Sequence, residues 1–203
     1  MAYKPTEETR RKGVAKRRRI IDVAHGLLST GGFAAATVRR TADGAGISTG
    51  SVYSYFGSRD ELLAELFREL ASHEFAVVDQ TVRAAEPAAR QRLTALVETF
   101  ARRALHAPQT AESLLFEPVN PLVEAERLKF RRRYHGLIVE ILEQGIGDGT
   151  LPAQDPEVSA RAITGAIAEA LMGRLSPEPS EADPETLIAN IVTFCIRAVA
   201  SEQ

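Results

Sequence analysis

Apolar residues recur at three- and four-residue steps along nearly the whole chain, the spacing that puts them on one face of an α-helix. Ile20, Ile21, Ala24, Leu27 and Leu28 share such a face, in a helix predicted to begin near Gly13. Gly31-Gly32 follows as a stop, because glycine accepts the left-handed backbone of a helix end. A second helix is expected after Thr37, whose hydroxyl can cap it, and runs to Ala45, with Gly46 as the break. Ser48 then suits the N-cap of a third helix ending near Tyr55 or Phe56, and Gly57 terminates that one. Ser58-Arg59-Asp60-Glu61 reads as an S-x-x-E capping box with two acids in the first turn. It opens a long helix with Leu62, Leu66 and Leu70 on one row and Leu63 and Phe67 beside it.

The rest of the chain repeats the same period. Helices are predicted near 87–106, 110–117, 121–146, 155–174 and 184–201, punctuated by Pro87, Pro108, Pro118, Pro121, Pro152, Pro156, Pro177 and Pro184. The span near 121–146 places Tyr134, Leu137, Ile138, Ile141 and Leu142 along one face. The last span carries Ile188, Ile191, Val192, Cys195, Ile196 and Val199 as a continuous stripe. No segment shows the alternate-residue pattern of a half-buried strand, and no internal repeat is present. The expected fold class is all-α.

Composition changes this picture in one respect. Net charge is only −2, yet residues 1–59 hold 11 Lys/Arg against 4 Asp/Glu, and residues 60–203 hold 14 against 23. A basic N-terminal part joined to an acidic remainder suggests that one part meets a polyanion. An apolar fraction of 44% supports a real core in a chain of 203 residues. Cys195 stands alone and reads as a small buried apolar residue, which fits a reducing compartment. No apolar run approaches a membrane span, and no apolar secretory core follows the basic N-terminus, so a cytoplasmic protein without membrane contact is expected. His25, His73, His106 and His135 lack the paired spacing of metal ligands, and neither metal nor cofactor is expected.

The stretch Gly46–Phe56, GISTGSVYSYF, carries the candidate chemistry. Its first five residues match G-x-S-x-G, the nucleophile elbow of a hydrolase with Ser48 as nucleophile. That motif needs a strand before it and a sheet around it. Residues 38–45 are interrupted by Arg39, Arg40 and Asp43 and do not read as a buried strand. The glycines Gly44, Gly46 and Gly50 likewise have the wrong spacing and context for a dinucleotide fingerprint. A helix-turn-helix uses nearly every residue instead. Gly46 makes the turn, Ile47 and Val52 point inward, and Ser48, Thr49, Gly50, Ser51, Tyr53 and Tyr55 remain outside. Small side chains at the leading end let a helix enter a major groove closely, and hydroxyls can bond phosphates.

These residues bring a resemblance. The pieces RRRIIDVAHGLLSTGGFAAATV and GISTGSVYSYFGSRDELLAELF, within about residues 16–67, resemble the N-terminal domain of the TetR (tetracycline-repressor type) family of transcriptional regulators. The resemblance implies three N-terminal helices that bind DNA, joined to a larger helical domain that binds an effector and a second subunit. It implies DNA contact for Tyr53 and Tyr55, a phosphate contact for Thr37, a base contact for Arg39, and backbone proximity for Arg59. Ser48, Thr49, Gly50 and Ser51 would form the leading end of the recognition helix. Two positions depart from the family pattern: Thr41 stands where an apolar residue is usual, and Gly44 weakens helix two by up to about 1 kcal/mol. The expected organisation is a flexible basic arm over 1–12, a DNA-binding domain over 13–60, and an effector-binding and dimerisation domain over 61–203. In the basic run, Lys16 and Arg17 are expected to reach DNA with Arg10, Arg11, Lys12, Arg18 and Arg19.

In the larger domain, Phe67, Phe75, Phe100, Phe116 and Tyr134 are candidate walls of a largely apolar effector cavity among helices four to seven. Arg131-Arg132-Arg133 reads as a solvated face, or as an anion anchor if one of them turns inward. By analogy with the family, the helices near 155–174 and 184–201 are the homodimer candidates, with Ala160, Ala162, Gly165, Ala166 and Ala170 permitting close approach. Burial inside one subunit explains such stripes equally well. The expected function is a DNA-binding regulator, a repressor released from a palindromic double-stranded operator by a small effector. The alternatives are a helical protein–protein module with an incidental basic arm, and an enzyme acting through Ser48.

Overall fold

The computed structural model describes residues 7–173, Leu175 and residues 183–200. Among them are nine helices and no strand: α1 (Glu7–Ala35), α2 (Val38–Ala45), α3 (Thr49–Tyr53), α4 (Arg59–Ala84), α5 (Ala89–His106), α6 (Pro108–Leu115), α7 (Pro121–Gly147), α8 (Pro156–Leu171) and α9 (Pro184–Val199). The all-α expectation holds.

The caps read from the sequence form as hydrogen bonds. Thr37 Oγ1 accepts the Arg40 amide at 3.2 Å, Ser48 Oγ accepts the Ser51 amide at 3.1 Å, and Ser58 Oγ accepts the Glu61 amide at 3.1 Å. The capping box closes one residue further out than usual, with Glu61 Oε2 accepting the Gly57 amide at 2.9 Å. Four of the prolines prove to be openers. Pro121, Pro156 and Pro184 stand in the first turns of α7, α8 and α9, where a missing N–H is no loss. Pro108 does the same for α6, so that helix spans Pro108–Leu115 and not 110–117.

Two further boundaries differ for physical reasons. The first helix starts at Glu7, ahead of Gly13, so residues 7–12 are helical where a flexible arm was expected. Glu7 and Glu8 sit in its first turn, where the helix dipole favours acids, and Lys12 pairs with Glu8 at 2.7 Å one turn on. Residues 1–6 of the expected arm lie outside the described residues. Regular α3 ends at Tyr53, two residues short of Tyr55, although the amides of Tyr55 and Phe56 still bond the Val52 carbonyl.

Helices α1 to α3 share a core of Ile20, Ala24, Leu28, Val38, Ala42 and Val52. Gly44 belongs to this packing: a Cβ there would stand 2.7 Å from Val23 Cγ1, so its cost in helix propensity is set against close approach of α2 to α1. Thr41 is fully buried beside it, and its hydroxyl has no hydrogen-bond partner among the described residues. Helix α4 runs from this unit into the larger bundle, where it packs on α5 and α7, while α6 lies against α1. Phe67 joins the two parts, with its ring stacked on Phe33 at 6.4 Å and tilted against Phe130 at 6.1 Å.

Candidate functional site: an outward helix and a cavity beneath it

Ser48 fixes the entry of α3. Its hydroxyl takes the Ser51 amide and lies 2.9 Å from Ser51 Oγ, as a helix cap on a loop between two helices. Gly46 makes the turn before it in a left-handed conformation, φ 66°. Val52 is buried, so the opposite face must point outward. Thr49 and Gly50 lie exposed there, and Tyr53 is 50% exposed. Tyr55 is half-buried and packs on the core, so it presents less surface than Tyr53.

The basic candidates divide. Arg39 is exposed and only 4.0 Å from Asp43, a long and weak pair. Lys16 is exposed on α1. Arg17 turns to α4: its guanidinium bonds both carboxylate oxygens of Glu65, one at 2.5 Å, and lies 4.7 Å from the Phe56 ring centroid. The Glu65 hydrogen bond holds the Arg17 guanidinium above its ordinary pKa. Arg59 points back into the fold, where Nη2 donates to the Phe33 carbonyl at 2.9 Å. Arg17 and Arg59 are thus struts between α1 and α4, a use that their sequence neighbours did not reveal.

Below this unit α4, α5, α6, α7 and α8 enclose a cavity of about 1070 Å³ of empty space, its open mouth included. Phe67, Phe100 and Tyr134 line it, and α8 adds Thr164, Ile167 and Ala168. Phe75 and Phe116 do not belong to its wall. Phe75 stands behind Tyr134, edge-on at 5.0 Å, with the Arg133 guanidinium 4.0 Å from its ring centroid. Phe116 is the C-cap of α6, packed on the core. Phe100 meets Tyr134 at 5.3 Å, nearly perpendicular. Burial, then nearby Glu74, pushes the Tyr134 phenol up, so it remains a protonated donor.

Three guanidinium groups line this mostly apolar wall, a feature that the aromatic pattern did not signal. Arg103 is paired with Glu74, at 2.9 Å for Nη2 and 2.5 Å for Nε. Arg127 donates to the carbonyls of Leu114 and Glu117 at 2.9 and 2.8 Å and to Glu124 at 2.6 Å. Arg131 has no ion pair among the described residues, and its exposed side chain stands at the edge of the cavity.

The stripe expected to join two subunits faces the interior. Ile188, Ile191, Cys195 and Val199 are buried within the chain, as is Ala160. Burial pushes the Cys195 thiol up to about 11, in keeping with a packing role. Of the small residues expected at a second subunit, Ala162, Gly165 and Ala170 lie exposed; Ala162 and Gly165 fall in an outward row with Val158, Glu169 and Met172 on and just beyond α8, beside Phe194 on α9. Val158 and Phe194 are 63% and 62% exposed, high for large apolar side chains. No helix of the described residues is long and apolar enough to cross a membrane.

The tetR family of bacterial regulatory proteins matches residues 20–66, and the tetracyclin repressor-like C-terminal domain matches residues 86–171. The transcriptional repressor KstR2 of Rhodococcus jostii is 31% identical over 166 residues, covering 79% of this chain and 80% of that protein. The regulator BetI of Burkholderia mallei is 29% identical over 183 residues, 86% of this chain and 90% of BetI. In fold, the chain is similar to the fatty acid degradation regulator FadR of Bacillus halodurans, with TM-score 0.76, 20% identity and coverage of 90% and 95%. FadR of Bacillus subtilis in complex with stearoyl-CoA gives TM-score 0.74 at 19% identity, covering 89% of this chain and 98% of that one.

Proposed function

The chain belongs to the tetR family of bacterial regulatory proteins, DNA-binding regulators of transcription that respond to ligands, and we propose that it acts as a homodimeric repressor of a palindromic operator. The observation that carries this reading is α3. It is a short capped rod held by a buried Val52, with its polar face and Tyr53 turned to solvent. Ser48, Thr49, Gly50 and Ser51 would lead into the major groove. Tyr53, Tyr55 and Thr37 would bond backbone phosphates, and Arg39 would reach a base edge. Of the basic residues on α1, exposed Lys16 is the one we assign to phosphate. Arg17 and Arg59 support the frame.

A palindromic operator needs two recognition helices about 34–36 Å apart. The outward row of Val158, Ala162, Gly165 and Met172, with Phe194, is the surface we assign to a second copy of the chain. KstR2 is a repressor, which favours repression over activation here. A cytoplasmic location and the lack of a catalytic role belong to the same reading, in which Ser48 is a helix cap and not a nucleophile.

The cavity takes the effector. Its wall is mostly apolar, and among the described residues Arg131 is the lining cation without an ion pair, placed to meet an anion at the mouth. The class proposed is an amphiphile with an apolar body and an acidic end. The FadR complex with stearoyl-CoA supports that class as the first to test. Such a ligand releases DNA only by binding the non-operator form more tightly than the operator form. Fluorescence anisotropy with an operator fragment, recovered from sheared genomic DNA by the protein itself, tests the whole reading. Saturable binding is expected, at least about a thousandfold tighter than to bulk DNA. Equal affinity for both at moderate salt ends the proposal.

A further inference from the structure

Glu117 lies between α6 and α7, far in sequence from α1, yet its carboxylate reaches the last turn of α1. Glu117 Oε2 accepts the Phe33 amide at 2.9 Å, and Oε1 accepts the Ala34 amide at 3.1 Å. Those two donors stand just after the break at Gly31 and Gly32, where α1 is interrupted. The seat requires glycine. Gly32 has φ +67°, and a Cβ there would stand 2.4 Å from Glu117 Oε2. A carboxylate accepting two amides makes charge-assisted bonds, stronger than neutral ones.

The other side of Glu117 leads to the cavity. Its backbone carbonyl accepts Arg127 Nη2 at 2.8 Å, and the same guanidinium holds the Leu114 and Ser113 carbonyls at the end of α6. Arg127 is part of the cavity wall and lies 5.9 Å from the Phe67 ring centroid. Beyond the latch, the Phe33 carbonyl accepts Arg59, the first residue of α4 after the outward helix. Direct contacts therefore run from cavity to Arg127, to Glu117, to the last turn of α1, and to the start of α4. Helix α4 is one continuous link between the two parts, and this is a second.

We propose that Glu117 is a positioning residue that ties filling of the cavity to the setting of the DNA-reading helices. The inference rests on the effector reading above. A ligand that fills the cavity presses on Arg127 and draws the Glu117 backbone with it, opening the carboxylate's grip on Phe33 and Ala34. Since the effector releases DNA, the closed latch belongs to the DNA-ready form. Removing the latch then acts with opposite sign on the two ligands: operator affinity falls and effector affinity rises, because coupling is reciprocal.

The test uses the full chain, the recovered operator fragment and stearoyl-CoA. Glu117→Ala is expected to weaken operator binding about tenfold and to tighten stearoyl-CoA several-fold, within the usual range of couplings. Glu117→Gln, which keeps one acceptor oxygen, falls between it and the wild type. General damage to the fold would weaken both ligands, so a joint loss overturns the proposal, as does no change in either. If stearoyl-CoA does not bind the wild type, the acyl effector reading falls by itself. The latch is then decided by operator affinity in Glu117→Ala and by hydrogen exchange at Phe33 and Ala34. Those amides are expected to exchange more slowly in the operator-bound wild type than in the free protein, and equal rates overturn the assignment.

Discussion

The DNA-reading unit and the bundle beneath it are built from the same helices but keep their polar groups in opposite places. Around α3 the apolar residue Val52 is hidden and the hydroxyls face water, so the chemistry is a surface. In the bundle the aromatic and aliphatic side chains converge, and the polar groups that matter are a few arginines set into an apolar wall. A surface of this kind can be specified by one short run of neighbouring residues, Gly46–Phe56. A cavity cannot, because its wall is assembled from five helices that are distant in sequence.

The comparison can be broken most severely at Phe67, the side chain shared by both parts. It is 2% exposed and touches Phe33 on one side and Phe130 on the other. Phe67→Ala is expected to cost about 3–5 kcal/mol in urea unfolding. A loss under about 1 kcal/mol would mean that the two parts do not share this core.

Thr41 offers the reverse effect in the reading unit alone. Its hydroxyl is buried without a partner among the described residues, so Thr41→Val should stabilise the protein by about 1–2 kcal/mol. A lower melting midpoint for the valine variant would show that the hydroxyl has a partner in solution. Tyr53→Ala separates surface from cavity. Operator affinity should drop about tenfold, roughly 1.4 kcal/mol, with the melting midpoint and ligand affinity unchanged. Lys16→Ala is a subtler probe of the same surface: the log–log salt slope of operator binding should shrink by about 0.9 if the ammonium meets a phosphate. An unchanged slope removes Lys16 from the interface.

The smallest effect concerns acid stability and belongs to the bundle. The hydrogen bond from Arg68 holds the Glu126 carboxyl below its usual range, against the opposing effect of burial, with Lys129 adding to it. A depressed carboxylate contributes stability that is full above its unfolded value, near 4.5, and is lost as pH falls through the folded one. Stability curves against pH should therefore flatten on the acid side in Glu126→Gln. Parallel curves for the two proteins would deny the linkage.

Legibility followed the range of the forces involved. The Thr37, Ser48 and Ser58 caps each join a hydroxyl to an amide three residues on, so the sequence displays them directly. The stripe on α9 was visible too, but a stripe shows only that a face is buried. Ile188, Ile191 and Cys195 turned out to face their own chain. Arg17 and Arg59 were legible as basic residues near the reading helix, whereas their partners Glu65 and Phe33 lie 48 and 26 positions away. Glu117 carried no signal at all, since the amides it holds are 84 and 83 residues distant. Phe75 and Phe116 shared the aromatic character of the cavity residues, and only packing excluded them from its wall.

By itself the sequence determined the all-helical fold, the caps and turn that shape α3, and the family to which the chain belongs, because each depends on local spacing or on contiguous matching residues. The tertiary structure alone decided which side chains face the cavity, which arginines are struts, and how Glu117 reaches the first helix. Those outcomes depend on the angles at which separate helices cross, and no single segment encodes such an angle.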